Sequence, residues 1–151
     1  MGTQQISHPE GEESHRRAIQ HVLRDLDALE SMMEQGCFET DAKRIGAEQE
    51  LMLIDRACRP APRSGEVLER ITDPRVVPEL AKFNIEFNSD PIRVGGDCLA
   101  TLDRQLREGF ATVRDAAGEI GVLPLMTGIC PTIDLADLSR DNLAPMDRYL
   151  A

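Results

Sequence analysis

Three glutamates in the 151-residue sequence have the type and spacing to hold a hard cation. Glu48 and Glu50 belong to the segment RIGAEQELMLID, and Glu86 to KFNIEFNS. Side chains alternate across a β-strand, so residues two apart share a face, about 7 Å from each other. Glu48 and Glu50 therefore project together, with Gly46 leaving space beside them. Glu86 projects with its amide neighbours Asn84 and Asn88, while Phe83, Ile85 and Phe87 point the other way. If the two strands are neighbours, three carboxylates converge on one small volume. Mg²⁺ takes oxygen ligands in octahedral geometry, usually one or two carboxylates plus substrate phosphates. Glu48, Glu50 and Glu86 are the candidate metal ligands.

Glutamates at alternating strand positions are more often the solvated face of an antiparallel sheet. Two features favour the metal reading. Gln49 interrupts the otherwise apolar face of Ile45, Ala47, Leu51 and Leu53, so the strand is not a simple in–out amphipath. Met52 and Ile54 continue the glutamate face, which predicts that this face is covered, and a covered carboxylate needs a partner or a metal. Arg44 and Arg93 flank the two acidic strands and could meet a phosphate or a substrate carboxylate, although arginines in such places are more commonly solvated or salt-bridged. His8, His15 and His21 show no four-residue spacing on one face. Cys37, Cys58, Cys98 and Cys130 form no CxxC pair, so neither zinc nor disulfides are expected. No GxxxxGK phosphate loop and no Ser/His/Asp arrangement occurs.

The elements that must position the glutamates follow from periodicity. Residues 1–11 read as a loose leader. Apolar residues at three-and-four spacing from Ala18 to Met33 predict an amphipathic helix from about Glu12, ended by Gly36. Arg44 to Asp55 reads as one strand, followed by a Pro-rich connection. Asp73-Pro74 has the form of a helix start, predicting that VVPELAK is a short helix. Lys82 to Ser89 is a second strand. After Gly95-Gly96 a long helix carries Leu99, Leu102, Leu106, Phe110, Val113, Ala117 and Ile120 on one stripe, expected on the sheet face away from the carboxylates. Gly121 to Gly128 is a third strand, with Pro124 suggesting an edge or a bulge. The tail reads as a turn and then the opening of another helix. The methionines, including Met32, Met33 and Met52, read as core filler. The fold class is α+β, a largely antiparallel sheet with helices on one face.

The three segments RIGAEQELMLID, FNIEFNSDP and MTGICPT resemble, in that order, three motifs of the glutamate–cysteine ligase family of the second bacterial type. The similarity runs from about Lys43 to Ala151. That family belongs to the glutamine synthetase-like carboxylate–amine ligases. The resemblance implies ATP-dependent joining of the γ-carboxylate of glutamate to the amine of cysteine, a reaction of glutathione biosynthesis. The carboxylate is phosphorylated and the amine then displaces phosphate. Carried over by motif, Glu48, Glu50 and Glu86 would be ligands of the magnesium ions that bind ATP. The GICPT segment matches a family loop near the substrate; Cys130 stands before its Pro and receives no catalytic role. The family's catalytic domain is considerably longer, so residues 12–151 read as its N-terminal part.

Composition narrows the partners. The net charge of −10 leaves no basic face for nucleic acid. The longest apolar runs are far short of the ~20 residues that cross a bilayer, and the N-terminus lacks a secretory pattern; a cytoplasmic location is the default. Small-molecule substrates (glutamate, with cysteine or another amine) are the expected partners, with homo-oligomerisation left open. Two other readings stand beside the first: a non-catalytic module that binds metal or a partner, and a ligase of the same superfamily with a different amine.

Overall fold

The structure, a computed structural model, describes residues 11–146 and Tyr149. The leader, apart from Gly11, and the helix expected at the C-terminus therefore fall largely outside the described residues. Helix α1 (Glu12–Glu34) is followed by strands β1 (Arg44–Ile45) and β2 (Glu48–Ile54), then the short helix α2 (Ser64–Leu68). Strands β3 (Val76–Pro78), β4 (Asn84–Asn88) and β5 (Ile92–Arg93) precede helix α3 (Cys98–Glu119) and strand β6 (Leu123–Leu125). A four-stranded sheet has the order β3-β4-β2-β6 with every pairing antiparallel, and β1 pairs with β5 in a separate ribbon. The α+β class expected from the sequence is the one observed.

The β2–β4 register explains how the sheet separates its faces. Leu51 lies opposite Ile85 and Gln49 opposite Phe87, while Glu50 lies opposite Glu86. Leu51, Leu53, Ile85 and Phe87 are almost wholly buried, and they form one core cluster with Val113, Ala116 and Ala117 of α3. Leu106, Phe110 and Ile120 pack at its margin. Helix α3 therefore covers the face away from the glutamates, as its stripe predicts, except that Leu99 at its start is 71% exposed. At Gly109, which is buried, the helix backbone approaches the Phe87 ring closely: a Cβ built there would stand 2.4 Å from Phe87 Cδ2.

Both long helices stop in the same way. Gly36 and Gly121 adopt φ of 66° and 72°. The next residues donate back, Cys37 N–H to Met32 O at 2.9 Å and Val122 N–H to Ala117 O at 3.0 Å. This is the Schellman arrangement, in which a left-handed glycine lets terminal carbonyls find partners.

Several expectations are corrected. The run from Arg44 to Asp55 is two strands, because β1 leaves the main sheet to pair with β5. VVPELAK is not a helix: Val76–Pro78 is an edge strand, with Val76 paired to Phe87 and Pro78 to Ile85. Asp73 serves a turn instead, its carboxylate accepting from the Arg75 backbone and guanidinium. β-branched valines beside an open sheet edge outweigh the Asp-Pro signal. Pro78 and Pro124 lie in β3 and β6, the two edges, where a missing N–H costs no ladder bond. Met32 and Met33 are not core: they lie on α1, which buries no residue, and are 42% and 67% exposed.

The turn after β2 and the loop after β6 are held together by arginine. Arg59 donates to the backbone of Thr132 and to the carboxylates of Asp134 and Asp137, at 2.6 and 2.9 Å for the latter two. Thr132 Oγ1 in turn donates to Cys58 O. The GICPT segment is thus fastened to the turn that follows β2, and Cys130 within it is buried.

Candidate metal-binding face

Glu48, Glu50 and Glu86 lie on the same sheet face. Glu50 and Glu86 are direct cross-strand partners, and Glu48 lies opposite Asn88. The side chains at such paired positions stand about 5 Å apart at their Cβ atoms, and like charges placed so destabilise a sheet. Glu48 and Glu50 are exposed and Glu86 is half-buried. The expected cover over this face is present only at its Ile54 end, where Met52 is half-buried and Ile54 buried. Apolar residues further along a strand say nothing of the cover above its polar end.

The Glu86 carboxyl is pushed above its ordinary range chiefly by burial, and further by the negative charges of Glu48, Glu79 and Glu50. The Asn88 amide opposes this, donating to Glu86 Oε1 at 2.7 Å. Glu79, one residue past β3, is a fourth carboxylate near this face that the sequence reading passed over. Reading VVPE as a strand would have found it, since Val77 pairs with Glu86 and Glu79 is two residues on. The side-chain oxygen of Asn84, whose residue is paired with Met52 on the same face, is buried without a hydrogen-bond partner. Beside Glu48 lies a shallow hollow of about 300 Å³ lined by Gly46, Ala47, Glu48, Asn88 and Ser89. Ser89 closes its floor, accepting the Ala47 N–H at its Oγ and donating its own N–H to Ala47 O.

Among the described residues, no group of three or more His, Cys, Asp and Glu side chains is arranged so that it could hold a metal ion. The face nevertheless fits the chemistry of Mg²⁺. It offers hard oxygen donors, gathers like charges that a cation would relieve, and carries an orphaned amide oxygen one row away. Magnesium needs few protein ligands when phosphates and water complete its octahedron.

The flanking arginines are occupied by neighbours. Arg44 forms a two-pronged pair with Glu39 at 2.8 Å, and Arg93 lies 3.8 Å from Asp41. His15 and His21 lie on exposed α1. Cys37, Cys58, Cys98 and Cys130 are all free thiols.

The electrostatics of Glu86 predict a pH dependence of stability. A carboxyl whose folded-state pKa is raised contributes stability that is present below the unfolded pKa and is lost as pH rises through the folded one. Glu86→Gln removes the repelling charge but keeps an oxygen for Asn88. It is expected to raise the thermal unfolding midpoint at about pH 7.5 and to leave it unchanged near pH 4. A variant destabilised equally at both pH values would show that the charge is not the issue.

Comparison with known proteins bears on residues 44–151, which match the model of the glutamate-cysteine ligase family 2 (GCS2). One relative is "Putative glutamate--cysteine ligase 2-3" of Frankia alni, 36% identical over 107 residues, covering 68% of this chain and 12% of that protein. Another is "Putative glutamate--cysteine ligase 2-2" of Frankia casuarinae, 34% identical over 108 residues, covering 70% of this chain and 12% of that protein. The chain thus spans about an eighth of the length of the curated relatives it matches. No solved structure matches it significantly. Among the described residues, no helix is long and apolar enough to cross a membrane.

Proposed function

Since the chain belongs to the glutamate-cysteine ligase family 2, we propose that it contributes the metal-binding sheet face of an ATP-dependent ligase joining glutamate to cysteine. The observation that carries this reading is the antiparallel pairing of Glu50 with Glu86, with Glu48 on the same face. In it, Glu48, Glu50 and Glu86 would hold magnesium, which neutralises charge between ATP phosphates and an attacking carboxylate. The substrate carboxylate is phosphorylated by ATP and the amine then displaces phosphate. Asn88 orients the Glu86 carboxylate through its amide. Fixing this group in advance matters, because phosphoryl transfer relies on positioning and electrostatics more than on covalent help from the protein. The reading places the reaction in the cytoplasm, where ATP and free thiols are supplied.

The test is phosphate release by the longest natural polypeptide containing this chain, with ATP and Mg²⁺. Release that needs glutamate and cysteine together supports the reading. Release with glutamate and some other amine would move the assignment to a neighbouring ligase, and none with any amine would leave a binding module.

A further inference from the structure

Helix α1 carries an apolar stripe that, among the described residues, nothing in the core covers. Ile19, Leu23, Leu26 and Met33 are 61%, 55%, 55% and 67% exposed, and the helix buries no residue. It precedes the segment matched by the family. The stripe is a seam with a seven-residue repeat: Ile19, Leu26 and Met33 at one core position, His15, Val22 and Leu29 at the other. Seven-residue repeats of this kind suit a partner helix lying alongside. At 23 residues the helix is about 34 Å long, enough for three such repeats.

Charge selects the partner and its direction. Arg16, Leu23 and Glu30 flank one side of the seam; Ala18, Asp25 and Met32 flank the other. A parallel pair of these helices would set Asp25 against Glu30 twice and bring the acidic halves, with Asp25, Asp27, Glu30 and Glu34, side by side. An antiparallel pair sets Arg16 of one copy against Glu30 of the other, twice, and meets Leu23 with Leu23 at its centre. One like-charge meeting, Asp25 with Asp25, remains. Opposed helix dipoles add to the preference.

We propose that α1 is a self-association element, pairing antiparallel with α1 of a second copy of this chain. The layers of that pair are Ile19 with Leu29, Leu26 with Val22, and Met33 with His15. The surface needs no rearrangement of the α+β body, since α1 contributes nothing to the core.

The test is sedimentation equilibrium of the full chain from about 1 to about 100 µM, the range in which a three-repeat helix pair should dissociate. A reversible monomer–dimer equilibrium is expected. Leu26→Asp should weaken it by at least about a hundredfold while leaving the unfolding midpoint of the body unchanged. Glu30→Arg should weaken the dimer, Arg16→Glu likewise, and the double variant should restore it. A monomer throughout the range overturns the proposal. So does a Leu26→Asp variant whose body melts earlier, which would show that the stripe is packed within its own chain. A dimer strengthened by Glu30→Arg alone would overturn the antiparallel direction, because only a parallel pair sets position 30 against Asp25.

Discussion

Glu86→Gln is expected to lower ATP-dependent phosphate release by about a hundredfold or more in the longest natural polypeptide, while making the fold more stable at neutral pH. The two effects have one cause. Glu86 is half-buried beside its cross-strand partner Glu50, and its carboxyl is raised by burial and by the charges of Glu48, Glu79 and Glu50. Without a cation this gathering of charge opposes folding; on the proposed reading the same charge would hold the ion. Glutamine keeps the size and can still accept from Asn88, so the change removes charge and little else. Glu48→Gln and Glu50→Gln should also lose turnover, with smaller gains in stability, since both are exposed. The paired measurement is phosphate release with glutamate and cysteine, and thermal unfolding, for each variant. Near-wild-type rates in all three would remove the metal roles. A rate loss that tracks a loss of stability would mean damage to the sheet. Residues 1–151 alone are expected to be silent, and strong turnover by them would show that this segment holds more of the site.

A second large effect is expected at Gly109. The buried helix backbone there lies against a fully buried ring, and an added Cβ would stand 2.4, 2.5 and 2.6 Å from three atoms of Phe87. Non-bonded carbons do not approach each other so closely, so either α3 must lift from the sheet or Phe87 must leave its place. Alanine gains up to about 1 kcal/mol in helix propensity over glycine. Overpacking a core costs about 1–3 kcal/mol and sometimes more. Because Cγ, near the root of the ring, is among the clashing atoms, a small tip movement cannot relieve the overlap. Gly109→Ala is therefore expected to be net destabilising by about 2 kcal/mol, and Gly109→Val by more. Denaturant unfolding of Gly109→Ala, Phe87→Leu and the double variant forms a cycle. The smaller, flexible leucine should recover part of the loss. A neutral or stabilising Gly109→Ala would show that propensity wins and that the ring moves freely.

The glutamate face was legible because a period of two is a local property: EQE and NIEFN each state their own face. That Glu50 meets Glu86 could be written only as a condition, since strand neighbours and register are set by contacts between distant segments. The amphipathic α3 was read correctly for the same local reason, and Gly36 correctly marked the end of α1. VVPELAK was misread because Asp-Pro followed by Glu-Leu-Ala-Lys carries strong local helix signals, while the vacant edge of β4 that captures Val76 and Val77 is visible only in the fold. Glu79 was lost with that misreading. The pattern of α1 likewise showed an apolar stripe and not what lies against it; exposure along Ile19 to Met33 came only with the structure. Gly109 carried no signal at all, since a helical glycine does not announce what its missing side chain avoids.

The prolines in β3 and β6 have a consequence for how copies of this chain meet. Each stands in an outermost, three-residue strand, so neither border offers an unbroken row of amide donors to another chain. Edge-to-edge templating, the usual route by which small sheets run into fibrils, is blunted on both sides. Concentrated solutions of the folded chain should therefore stay free of growing cross-β material.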